Sequence, residues 1–122
     1  MNPKILIVED EPNILIPLRF LMEQNHYTVQ DAQKGDQVIA AMEGFLPDLI
    51  LLDIMLPQMN GFEICQAIRG RPEWRSIKII ILSAKGSDMD IAKGMALGAD
   101  AYITKPFSNA ELVECVKNLL NK

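Results

Sequence analysis

Five short apolar runs punctuate the chain, and a stretch with helical spacing follows each one. The runs are Lys4–Val8, Thr28–Ala32, Asp48–Leu52, Lys78–Leu82 and Ala101–Thr104. Continuous apolar runs of this kind predict strands buried on both faces. Their regular alternation with helical patterns predicts an α/β domain, a parallel sheet with helices on both sides. Thr28–Ala32 is the less apolar run, as suits an edge strand.

The helical stretches carry their own punctuation. The first has Ile14, Leu18, Leu21 and Met22 on one stripe. Pro12 suits its first turn, whereas Pro17 costs a hydrogen bond and predicts a kink or a late start. The second has Val38, Ile39 and Met42 and is expected to stop near Gly44; the third has Ile64, Cys65 and Ile68 and should stop near Gly70. The fourth opens on the cap Ser87-Asp88-Met89-Asp90 and closes at Gly98. The fifth opens on the capping box Ser108-Asn109-Ala110-Glu111, with Leu112, Val113, Val116, Leu119 and Leu120 facing inward. No repeat, linker or low-complexity segment interrupts the pattern. The 122 residues suit one domain, expected to span 1–122.

Composition narrows the function classes. The net charge of −4, with acids and bases interspersed, argues against nucleic acid as a direct partner. No apolar stretch approaches the roughly 20 residues of a membrane span. Met1-Asn2-Pro3-Lys4 leads straight into the first strand, without the pattern of a signal peptide. Cys65 and Cys115 fall on apolar stripes and suit a reducing cytoplasm as packing residues. The seven methionines read as core filling, and Trp74 as an exposed loop residue offering a contact surface.

The chemistry lies at the strand ends. Leu49-Ile50-Leu51-Leu52 runs into Asp53, and Ile5-Leu6-Ile7-Val8 runs into Glu9 and Asp10. In an open parallel sheet, ligands bind beyond the carboxyl ends of the strands. Ser83 follows the fourth run and Lys105 follows the fifth, so all five residues are expected at one edge. Two like charges ~4 Å apart repel by about 4 kcal/mol at an intermediate dielectric. The carboxylates must therefore gain protons or hold a cation. Hard oxygen ligands without histidine or thiolate select Mg²⁺, Ca²⁺ or Mn²⁺, and few carboxylates with open water positions favour Mg²⁺ serving a phosphate. Asp53 is then the candidate nucleophile for a phosphoryl group, with Lys105 and the Ser83 hydroxyl on its oxygens. Backbone N–H groups after Asp53 and Ser83 could complete the cradle.

These residues resemble, end to end, the receiver domain of two-component response regulators. The likeness combines Val8-Glu9-Asp10-Glu11, Asp53-Ile54-Met55-Leu56-Pro57 with Asn60-Gly61 following, Ser83-Ala84, and Lys105-Pro106-Phe107. It implies a flavodoxin-like (βα)5 three-layer sandwich with strand order 2-1-3-4-5. It implies Asp53 as phospho-acceptor, and Glu9, Asp10, Asp53 and the Met55 carbonyl as Mg²⁺ ligands, with Mn²⁺ as a substitute. It implies Lys105 as the phosphate-pairing lysine, Ser83 and Tyr102 as switch residues, and a cis bond before Pro106. The implied donor is a phosphohistidine on a histidine kinase or phosphotransfer protein. The implied output is a change in the face formed by helix four, strand five and helix five, read by a downstream protein target or an output domain on another chain. His26, the sole histidine, reads as a solvated turn residue, so no internal donor is expected. Glu9 stands where Asp is commoner, and Ser83 where Thr is commoner. Met55 and Lys85 flank the path of the hydrolytic water and carry no group suited to orienting it, so a long-lived phosphoryl form is expected. Ala101 and Cys115 stand where the winged-helix branch of the family carries an Asp and an Arg for dimerisation. A monomer, or a weak phosphorylation-dependent dimer, is expected.

Three other readings compete. A Mg²⁺-dependent aspartyl-phosphate hydrolase of similar fold would need a second acid near Asp53 and usually a cap domain; residue 55 is Met. A flavin module would need a phosphate loop after the first strand, where Glu9-Asp10-Glu11 would repel phosphate. A degenerate receiver acting only as a binding platform would not need the intact acid set.

Overall fold

A computed structural model describes residues 2–56 and 60–121. Pro57 of the acidic motif, along with Met1 and Met59, lies outside the described residues. Five strands alternate with five helices: β1 (Lys4–Val8), α1 (Pro12–Gln24), β2 (Thr28–Ala32), α2 (Gly35–Phe45), β3 (Leu49–Asp53), α3 (Gly61–Arg69), β4 (Lys78–Ser83), α4 (Asp88–Ala96), β5 (Ala101–Thr104) and α5 (Asn109–Leu120). A single 3-10 turn, Pro72–Trp74, sits between α3 and β4. The sheet is wholly parallel, in order β2-β1-β3-β4-β5.

Side-chain alternation along the strands sends each run to two cores. Ile5, Ile7, Leu49, Leu51, Ile80, Leu82 and Ile103 pack against α1 and α5. Leu6, Val8, Ile50, Leu52, Ile79 and Ile81 pack against α2 and α3. All five positions of β3 are buried, as a central strand covered on both faces requires. Each such leucine or isoleucine contributes roughly 1.5–3 kcal/mol by leaving water.

The strand ends differ by one residue from the sequence expectation, in a way that matters for the site. β3 runs to Asp53, which pairs with Leu82, and β4 runs to Ser83, which pairs with Thr104. Both residues are thus the last rungs of the ladder. Asp48 lies outside β3, where its carboxylate accepts from the Lys4 backbone N–H.

Several expectations are corrected. α1 begins at Pro12 and continues through Pro17, so there is no late start; Leu15, Leu18 and Met22 bury its inner face and hold it against the lost hydrogen bond. α2 ends at Phe45, beside Gly44 as expected; the Phe45 ring packs on the core, and Leu46 takes the left-handed cap position at φ 54°. Trp74 is buried rather than exposed, because the 3-10 turn folds its indole into the core beneath the Arg71 guanidinium, 4.1 Å from the ring centre. Of the described methionines only Met22 and Met42 fill the core. Met89 and Met95 lie on α4, which buries only Gly94, and Met55 projects from the loop after Asp53. The Ser87 and Ser108 caps form, accepting from the N–H groups of Asp90 and Glu111. His26 is an exposed turn residue at φ 69°.

Candidate functional site: an acidic pocket at the sheet edge

The parallel register delivers Glu9, Asp10, Asp53, Ser83 and Lys105 to the carboxyl edge of adjacent strands β1, β3, β4 and β5. Oxygens from Glu9, Asp10 and Asp53 all lie within 4.8 Å of one another. Lys105 closes the group from β5: its Nζ donates to Glu9 Oε1 at 3.2 Å and pairs with Asp53 Oδ2 at 3.5 Å. Glu9 is only 2 % exposed and Asp53 8 %. Burial first, and then the neighbouring Asp53 carboxylate, push the Glu9 carboxyl up to about 7, while Lys105 pulls the other way. Burial and the Asp53 carboxylate thus favour the protonated form of Glu9, one of the two ways of relieving the repulsion foreseen from charge counting.

Local backbone geometry holds each group. The Met55 N–H donates to Asp53 Oδ1 at 3.0 Å, and the Asp10 N–H donates to Glu9 Oε2 at 3.2 Å. Met55 itself is exposed and pairs with Asn60 across the loop. Asn60 caps α3 by accepting from Phe62 N–H, and Gly61 N–H donates to the Ile54 carbonyl. A Cβ on Gly61 would lie 2.3 Å from Ile54 Cα and 2.8 Å from the Asp53 carbonyl oxygen, so only glycine lets α3 start this close beneath β3.

Ser83 is fully buried, and its Oγ accepts from the Lys85 N–H at 3.0 Å. Tyr102 is half-buried against the α2–α3 core, and its hydroxyl donates to the Lys85 carbonyl. Burial raises the Tyr102 phenol above its ordinary value. The Lys105–Pro106 bond is cis. Sequence reasoning singled out every side chain in this pocket. It missed the part played by the Lys85 backbone, which joins Ser83 to Tyr102, because a main-chain contact leaves no residue-type signature. It quoted Gly61 without the steric reason.

The donor set is chemically coherent. Three hard carboxylate oxygens with no thiolate or imidazole among them suit a small divalent cation. The ammonium of Lys105 and the hydroxyl of Ser83 suit the oxygens of an anion placed before Asp53.

Comparison with known proteins agrees with this chemistry. A family model described as the response regulator receiver domain matches residues 5–117. The phosphate regulon transcriptional regulatory protein PhoB of Rhizobium meliloti is 41 % identical over 122 residues, covering 100 % of this chain and 54 % of that protein. The chain spans about half the length of the curated relatives it matches. A putative response regulator from Chloroflexus aurantiacus superposes with a TM-score of 0.95 at 30 % identity, covering 100 % of both chains. The receiver domain of a sensor histidine kinase from Pseudomonas aeruginosa, whose structure has a magnesium ion coordinated in the active-site cleft, superposes with a TM-score of 0.90 at 28 % identity, again covering 100 % of both. No described helix is long and apolar enough to cross a membrane. Receiver domains are signalling phospho-acceptors, and the present chain belongs to the response regulator receiver domain family.

Proposed function

We propose that this chain accepts a phosphoryl group on Asp53 from a phosphohistidine of a histidine kinase or phosphotransfer protein, in a Mg²⁺-dependent reaction within a single domain spanning 1–122. The observation that carries the reading is the meeting of the Glu9, Asp10 and Asp53 carboxylates within 4.8 Å under the Lys105 ammonium. Glu9, Asp10, Asp53 and the Met55 carbonyl would hold the metal, which would neutralise phosphoryl oxygens facing the acids.

The residues of the chain supply the rest. An Asp53 carboxylate oxygen forms the new phosphorus–oxygen bond as the phosphorus–nitrogen bond to the donor imidazole breaks, and the imidazole leaves with its bonding electron pair. The ladder pairing with Leu82 and the Met55 N–H aim the carboxylate. Lys105, already between Glu9 and Asp53, pairs with a phosphoryl oxygen, and the Ser83 hydroxyl proton, not used in its bond from Lys85, donates to another.

Ser83 and Tyr102 then carry the change to α4, β5 and α5, a surface that a downstream protein or an output domain reads. The charged dimer of the winged-helix branch is disfavoured here. Ala101 and Cys115 line the groove between β5 and α5, and the adjacent Asp100 carboxylate is already taken by Arg69 at 2.8 Å and by the Ile79 N–H at 2.8 Å. The reading includes a cytoplasmic location and a monomer, or a weak dimer formed on phosphorylation.

Acetyl phosphate with Mg²⁺ should add about 80 Da, one phosphoryl group, to the intact chain, and the adduct should be absent in Asp53→Ala. An adduct that survives Asp53→Ala, or none in the parent, refutes the proposal.

A further inference from the structure

Gly94 sits in the middle of α4, where glycine is a poor helix former. It is also the one buried residue of that helix. A methyl group on its Cα would lie 2.9 Å from Cδ2 and 3.2 Å from Cε2 of the Tyr102 ring, and 2.9 Å from Ile81 Cδ1. The Ile81 methyl is the far end of a buried side chain and can turn only where a neighbour leaves space. The Tyr102 ring is rigid and held at both ends, by its Cα in β5 and by its hydroxyl on the Lys85 carbonyl. The Lys85 N–H in turn donates to Ser83 Oγ at 3.0 Å. The same loop lies close on β5 at a second point, since a Cβ on Gly86 would meet Thr104 Cγ2 at 2.9 Å.

We propose that Gly94 is a positioning residue for the pocket: its missing side chain forms the recess that seats the Tyr102 ring, so that the tyrosine hydroxyl holds the β4–α4 loop and, through Lys85, the Ser83 hydroxyl. Gly94 touches no reacting atom and acts only through Tyr102. Its consequence at Ser83 rests on the phospho-acceptor reading; the seating of the ring does not.

The test combines a stability cycle with a ligand cycle. Gly94→Ala is made in the parent and in Tyr102→Ala. Thermal melts should show Gly94→Ala lowering Tm in the parent, where the methyl meets the ring. In Tyr102→Ala it should raise Tm, because alanine is the better helix former and Ile81 Cδ1 can move into the space the ring vacates. A change of the same sign in both backgrounds overturns the proposal. In the second cycle, beryllofluoride with Mg²⁺ serves as the phosphoryl mimic. Gly94→Ala and Tyr102→Phe should each weaken its binding by roughly two- to tenfold, the range set by one neutral hydrogen bond. The double variant should bind no more weakly than Gly94→Ala alone; additive losses overturn the relay. If the parent binds no beryllofluoride, the phospho-acceptor reading fails, and the sign of the two Tm changes alone decides the seating.

Discussion

At the proposed Mg²⁺ site, Glu9 would make metal binding a proton exchange. Its carboxyl is held at about 7 by burial and by Asp53, so near neutral pH a cation entering the pocket must displace that proton. Perturbing pH therefore perturbs affinity. For one acid of this pKa competing with the metal, apparent Mg²⁺ affinity falls roughly tenfold between about pH 8 and about pH 6, whereas an ordinary glutamate would leave it nearly flat. Calorimetric titration with Mg²⁺ at three pH values, repeated in buffers of different ionisation enthalpy, measures both the affinity and the proton released. Glu9→Gln should bind weakly and lose the pH dependence. An affinity constant across this window, or an unchanged slope in Glu9→Gln, would refute the reasoning. Stability carries the opposite sign. Because the folded pKa lies above the ordinary glutamate value of 4.5, the metal-free domain binds the extra proton only when folded. That stabilisation, on the order of 1–3 kcal/mol, is complete below about 4.5 and is lost as pH rises through about 7. Saturating Mg²⁺ should remove the loss.

Two further outcomes are expected. Gly61→Ala forces a methyl against the Ile54 backbone, which has no flexible end to yield, and should destabilise the domain by roughly 1–3 kcal/mol in a urea melt; a change below the error of the melt would show that the turn has slack. The phosphoryl form should decay slowly, because the exposed Met55 and Lys85 side chains offer no carboxylate or amide to orient water; time courses by phosphate-affinity gel should show Met55→Asn and Lys85→Glu shortening the lifetime, and a parent half-life of seconds would contradict the expectation.

The architecture was legible because each apolar run is short, continuous and bounded by turn chemistry. Burial on both faces of β3 leaves such a run no alternative but a central parallel strand. The pocket was legible because a carboxylate ending an apolar strand has no packing role to explain it. What escaped reading depends on geometry rather than residue type. Trp74 sits between Pro72 and charged neighbours that mark a loop, yet a single 3-10 turn suffices to bury its indole. Met89 and Met95 have the hydropathy of core residues, on a helix whose closest approach to the sheet is through a glycine.

Asp53 is the terminal rung of a strand flanked by β1 and β4, and its carbonyl lies directly under the start of α3. A phosphoryl group attached there, as proposed, would meet a backbone fixed by the ladder on one side and by α3 on the other. The response to its charge would then fall on the side chains and loops around the pocket rather than on β3 itself. Rigidity at the proposed point of modification would thereby decide where motion appears.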